Sequence, residues 1–230
     1  MPRIIDLNAD LGEGVTDDEG LLAVVTSANV ACGYHAGDRE TMLRVCEEAS
    51  RRGVAVGAQV SYDDRANFGR VSVDVAYEVL RDQVADQVQV LSAIAVSVGT
   101  TVSYVKPHGA LYHRTGHDEE HAAAVLDGSG GLPVLGLPGS RFLDLAVTAG
   151  RLCFHEGFPD RAYTAEGTLV SRAEPGAVLE DPAEIARRGV ELAQAVHSVC
   201  VHGDSPGAVD SARAVRGALE AAGFELRKFV

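Results

Sequence analysis

Lysine is nearly missing from this 230-residue sequence: Lys106 and Lys228 are the only two, against eighteen arginines. Positive charge as a whole is scarce, with 20 basic residues facing 33 acidic ones for a formal net charge of −13. So acidic a chain lacks the clustered cations of a nucleic-acid or anionic-membrane surface, which excludes both as broad partners but leaves room for one local basic pocket. No apolar run reaches the ~18 residues of a membrane span, and the opening residues lack the basic-then-apolar form of a signal peptide. Cys32, Cys46, Cys153 and Cys200 are scattered with no Cys-x-x-Cys pair, which argues against a zinc ribbon or a redox motif. A reduced, cytoplasmic protein is expected. Also missing are a Gly-x-x-x-x-Gly-Lys-Ser/Thr phosphate loop, a Gly-x-Gly-x-x-Gly fingerprint, a Gly-x-Ser-x-Gly elbow and a His-Glu-x-x-His helix. What remains is water or proton chemistry run by Asp, His and Lys, with or without a metal.

What is present is an alternation of short apolar runs and longer helical ones. Strands are expected at Ile4 to Asp10, Ser27 to Cys32, Val54 to Gln59, Thr101 to Val105, Leu132 to Leu137, Leu152 to His155, Val199 to Val201 and Phe224 to Phe229. Asp38 caps a helix to Arg52, and a stripe from Ala76 to Val98 marks the longest helix, from about Val73. Further helices are expected from Asp118 to Leu126, from Arg141 to Ala149, from Asp181-Pro182-Ala183-Glu184 to about Val196, and up to Ala222. Strand and helix alternate seven or eight times with no break in composition, so one domain over 1–230 is expected: a parallel sheet with helices outside, closed as a (β/α) barrel or open and doubly wound.

In the first strand Ile5, Leu7 and Ala9 alternate with Asp6, Asn8 and Asp10, so one face is apolar and the other carries two carboxylates and an amide. Buried carboxylates need partners, which implies a polar centre. The other strand ends repeat the theme, with Asn29, Gln59, Lys106 with His108, then His155 to Arg161, and finally His202 and Asp204. In parallel α/β folds those ends form one face, which carries the active site. His35, His108 and His202 each follow a different strand beside small residues and are expected to line a pocket, whereas His113, His117, His121 and His197 read as solvated. Lys106 is the most telling, a compact ammonium at a strand end in a chain that otherwise uses arginine.

Asp6-Leu7-Asn8-Ala9-Asp10-Leu11-Gly12-Glu13, the run Thr26 to Asp38, Phe68-Gly69-Arg70, Val105-Lys106-Pro107-His108-Gly109-Ala110-Leu111-Tyr112, Asp160-Arg161-Ala162-Tyr163 and His202-Gly203-Asp204 together resemble the LamB/YcsF family. The resemblance implies a (β/α) barrel of about seven strands related to the glycoside hydrolase/deacetylase group. It also implies ATP-dependent opening of 5-oxoproline to glutamate, a lactam hydrolysis shared with 5-oxoprolinase subunits B and C. On that view ATP is a co-substrate bound with the partners, which activate the lactam. Asp10 or His35 is then the general base, Lys106 stabilises charge on oxygen or phosphate, and His108 is general acid or hydrogen-bond donor. Asn8, Asn29, Gln59, Arg70, Arg161, His202 and Asp204 bind the substrate.

The related deacetylases hold a divalent metal with one aspartate and two histidines, for which Asp10, His35 and His108 are the candidates here. The chain departs from the family at Gly57-Ala58-Gln59-Val60, where Gly-Ala-His-Pro is usual, and glutamine neither titrates nor makes a good transition-metal ligand. Val71 stands where a second arginine is common, and the loop after Glu13 is short. Two other readings stay open: a metal-dependent deacetylase or amidohydrolase acting alone, and a ligand-binding barrel weakened at Gln59. A homo-oligomer is left open.

Overall fold

The computed structural model describes residues 3–15, 17–172, 174–204 and 207–230. Eight parallel strands are β1 (Arg3–Leu11), β2 (Ser27–Ala31), β3 (Ala55–Val60), β4 (Val102–Pro107), β5 (Val134–Gly136), β6 (Cys153–Gly157), β7 (Ser198–Val201) and β8 (Phe224–Leu226). β1 pairs with β2 through Asn8–Ser27 to Leu11–Val30 and with β7 through Asp6–Ser198 to Ala9–Val201. The first seven strands thereby close into a barrel, and β8 lies beside the start of β1 at Arg3 to Ile5. The closed form is therefore the one adopted, and the open doubly wound alternative falls away.

Helices α1 (Asp18–Leu22), α2 (Arg39–Arg52), α3 (Tyr77–Ser97), α4 (Gly109–Thr115), α5 (Glu119–Gly128), α6 (Arg141–Thr148), α7 (Pro182–Leu192) and α8 (Ala208–Ala221) accompany the strands. Five start at a side-chain cap of the expected kind: Asp17, Asp38, Asp118, Ser140 and Asp181 each accept a backbone N–H of the first turn. α3 starts at Tyr77, next to Ala76 where its apolar stripe begins, and not at the expected Val73, although Val73 and Val75 still pack on the core. α1 and α4 are helices the sequence reading does not anticipate, and α4 is the one that bears on the site. It leaves β4 without a loop, with His108 as its cap residue.

The alternation of each strand sorts its side chains. Ile5, Leu7, Ala9 and Leu11 of β1 join Ala28, Val30, Val56, Ala58, Val105, Val134, Val199 and Val201 in the layer under the helices. The opposite set points into the barrel and is graded from end to end. Ala55, Tyr104 and Leu135 form a separate apolar cluster with Phe154, Phe229 and Val230 packed on it. Tyr104 fits only because residue 57 is glycine: a Cβ there would lie 2.2 Å from the ring. Within the same barrel, Asp6 accepts from the hydroxyls of Thr26, Ser27 and Ser198. Burial pushes the Asp6 carboxyl up to about 6, against the hydrogen bonds that lower it.

Candidate active site

Above that layer the polar groups form one connected network. Ser198 Oγ accepts from Asn8 Nδ2 at 2.6 Å, and Asn29 Nδ2 bridges Asn8 Oδ1 at 2.7 Å and Asp10 Oδ1 at 2.8 Å. Tyr104 donates its hydroxyl to Asn29 Oδ1 at 2.6 Å, so the orientation of the Asn29 amide is fixed. Asn8 and Asn29 are wholly buried, and the chain of amides ends on the Asp10 carboxylate.

Lys106 stands in the middle of the next layer. Its Nζ is 3.2 Å from Asp10 Oδ1, 2.9 Å from Glu156 Oε2 and 3.2 Å from Cys200 Sγ, and it lies 5.1 Å from the centre of the Phe158 ring. Burial alone would discharge an ammonium, but Asp10 and Glu156 hold Lys106 well above its usual range. Burial likewise opposes the charge on Asp10, yet Lys106, with His202 and His108, keeps that carboxyl below the usual range. Glu156 is raised by burial, against the pull of Lys106. Cys200 is raised well above its ordinary value by burial, so the thiol stays protonated.

Beside this layer lies a second group. The loop after β1 brings Glu13 over the barrel, and the loop after β2 brings His35. His35 and His108 stack with ring centres 4.1 Å apart and planes 18° apart. Glu13 Oε1 is 3.7 Å from His35 Nε2, 3.5 Å from His108 Nε2 and 3.1 Å from Gln59 Nε2. The loop carrying Phe68-Gly69-Arg70 closes over them. Phe68 takes a left-handed φ of 58° and sets its ring edge-on to both imidazoles. Gly69, at φ +67°, could carry no side chain, since a Cβ would lie 2.4 Å from Ser61 Oγ and 2.9 Å from His35 Cβ.

Glu13, His35 and His108 are all buried and offer donor atoms within 4.8 Å of one another. Both ring nitrogens of His35, Nδ1 of His108 and Oε1 of Gln59 are buried without a hydrogen-bond partner. Orphaned donors of this kind are what a bound divalent ion would satisfy, and a two-histidine, one-carboxylate set suits one. The carboxylate meeting the two histidines is thus Glu13. Asp10, the sequence-based candidate, is engaged by Lys106 and Asn29. Burial, and then His35, hold His108 well below its usual range, so it is neutral and suited to ligation.

A cavity of about 450 Å³ opens above both groups and is lined by Asp10, Glu13, Lys106, His108, His202 and Arg161 among others. Asp160 Oδ2 accepts from the His202 backbone N–H at 3.0 Å and lies 2.8 Å from its Nδ1, while Phe158 stacks on the imidazole. Burial would raise the Asp160 carboxyl, but His202 holds it below its usual range. Arg70 and Asp204 form an ion pair at the rim, and Arg172 joins the same carboxylate at 3.2 Å. His121, read as solvated, is instead buried in α5, 3.3 Å from Asp118 Oδ1 and edge-on to Tyr62.

Of the sequence-based candidates, Asp10, Lys106, His108, Arg70, Arg161, His202 and Asp204 line the cavity. Asn8, Asn29, His35 and Gln59 lie in the buried shell behind it. Glu13 is not among those candidates, and the sequence places Glu156 and Asp160 only near the polar end of the sixth strand, with no role. Strand parity could have found Glu156, two positions along from inward-facing Phe154.

Residues 5–230 match the LamB/YcsF family. The chain is 55% identical to a protein of Streptomyces avermitilis named as the A subunit of 5-oxoprolinase, covering 98% of this chain and 100% of that one. A Mycobacterium avium protein of the same name is 53% identical, with 98% of each covered. The crystal structure of the lactam utilization protein from Thermus thermophilus superposes with a TM-score of 0.91 at 37% identity, over 98% of this chain and 99% of that one. The family 4 carbohydrate esterase of Streptomyces lividans shares the fold alone, with a TM-score of 0.60 at 10% identity over 99% of this chain and 93% of that one. Matched over nearly its whole length and more than half identical to such relatives, the chain belongs to the LamB/YcsF family.

Proposed function

We propose that this chain is the A subunit of a 5-oxoprolinase, an amide hydrolase that opens the lactam of 5-oxoproline to glutamate with B and C subunits that use ATP. The observation that carries the reading is the Lys106 ammonium, held by Asp10 and Glu156 on the wall of a cavity large enough for a small cyclic amide. The names of the relatives agree with it. An amide carbonyl gains negative charge as water adds, and Lys106 is a fixed donor for that oxygen. Asp10, kept ionised, holds the attacking water by accepting a hydrogen bond from it. His202, oriented by Asp160, takes the proton of that water and returns it to the ring nitrogen as the C–N bond breaks.

Glu13, His35 and His108 would hold a divalent metal, which when bound supplies Lewis-acid polarisation. That group favours a second reading, an amidohydrolase working without ATP. Four unbridged cysteines suit a reducing cytoplasm. The test is glutamate formation by the chain reconstituted with B and C subunits, with and without ATP. Lys106→Met should lower turnover about 10³-fold, the scale of losing an oxyanion donor. A rate near wild type removes Lys106 from the mechanism, and turnover by the chain alone without ATP selects the second reading.

A further inference from the structure

Arg161 is the largest wholly buried side chain in the protein and lines the cavity, yet among the described residues no carboxylate lies within ion-pair distance of it. Its Nε donates to the Ala177 carbonyl at 3.2 Å and one terminal nitrogen to the Val170 carbonyl at 2.6 Å. Carbonyls position a guanidinium but do not neutralise it; Asp160 and Asp204 act on it only from beyond contact distance, and a buried charge without a contact partner is costly. Arg172 and Arg70 stand on the same cavity wall and share one carboxylate, Asp204. The neighbouring anions are committed elsewhere, Asp160 to His202 and both Asp10 and Glu156 to Lys106. Arg70 and Arg172 therefore divide one carboxylate and Arg161 has none in contact, inside a protein whose formal net charge is −13.

We propose that Arg161 and Arg172 form a carboxylate-binding subsite that takes the acid group of the cyclic-amide substrate, an inference that rests on the function proposed above. The chemistry of such a ligand supports it. In 5-oxoproline the carboxylate sits on the carbon next to the ring nitrogen, and the amide carbonyl is on the nitrogen's other side. Arg161 directly follows Asp160, the partner of His202. An acid group anchored at Arg161 turns the ring nitrogen toward His202 and the carbonyl toward Lys106. The subsite thus sets which end of the lactam meets which catalytic group, and planar guanidiniums suit that task better than ammonium groups.

Titration calorimetry on the purified chain compares 5-oxoproline with 5-oxoprolinamide, the same ring with the acid group neutralised. The acid is expected to bind about tenfold or more tightly, the scale of one charge-assisted contact. Arg172→Ala should weaken the acid more than the amide and so shrink the preference. Arg161→Lys should reduce it, and it spares the fold better than alanine where the side chain braces residues 170 and 177. Equal affinities for acid and amide, or a preference untouched by both variants, overturn the subsite. If the reconstituted complex still makes glutamate in that case, the proposed function stands without it. Failure of the complex to act on 5-oxoproline overturns both. Inorganic phosphate binding more tightly than the acid, and competing with it, assigns the arginines to a phosphate and overturns the carboxylate.

Discussion

The side-chain amide of Gln59 donates to Glu13 Oε1 at 3.1 Å and leaves its own carbonyl oxygen buried and unpaired. Gln59 thus touches the carboxylate of the Glu13–His35–His108 group. An imidazole there adds a nitrogen donor where the amide offers only a weak oxygen ligand. Gln59→His should therefore tighten binding of Zn²⁺ or Co²⁺ about tenfold or more, the scale seen when ligand surroundings change. Competition against a chromophoric chelator reads it directly. Affinity equal to wild type would show that residue 59 does not face the ion.

Gly57 and Tyr104 give a prediction about packing. A methyl group on residue 57 would lie 2.2 Å from the Tyr104 ring, inside a closed barrel where the ring has little room to retreat. Gly57→Ala should destabilise the fold by about 1–3 kcal/mol, the usual cost of overpacking. It should also disturb the hydroxyl bond that orients Asn29 on Asp10. The Gly57→Ala, Tyr104→Leu pair should be more stable than the sum of its singles, because the smaller side chain vacates the clash. Denaturant melts of the four proteins settle the matter, and strict additivity would count against it.

How far the sequence could be read depended on whether a local pattern marks burial. The alternation of Asp6, Asn8 and Asp10 with Ile5, Leu7 and Ala9 is such a pattern, and it announced a polar barrel interior. Lys106 was visible because lysine is rare. Glu156 could be read as a polar residue near the sixth strand, but its pairing with Lys106 joins two strands that are not neighbours in the sheet, and no local pattern announces that. Glu13 escaped because its place over the barrel depends on the turn at Gly12, φ +75°, and not on any period. Arg161 could be named as a binding residue, but its unmatched charge emerges only once Asp160 is seen to be taken by His202.

Asp6 supports a prediction about pH. Its carboxyl rises from 3.8 to about 6 in the fold because burial disfavours the ion. The unfolded chain therefore ionises first, so the Asp6 contribution to stability is whole below about pH 3.8 and is lost as the pH climbs through about 6. A shift of that size corresponds to about 3 kcal/mol. Asp6→Asn, which cannot ionise, should gain on wild type by roughly that amount between pH 4 and pH 7. Urea melts of both proteins across that range give the comparison. A constant difference would mean that Asp6 titrates normally.

Phe229 and Val230 pack against Tyr104, Leu135 and Phe154 inside the barrel, on the far side of the polar layers from the cavity. A barrel stoppered in this way is a cup and not a tube. Substrate and product must pass the same lip, so accumulating product obstructs entry. Whatever covers that lip meters both arrival and departure, so a single contact there governs the traffic in both directions.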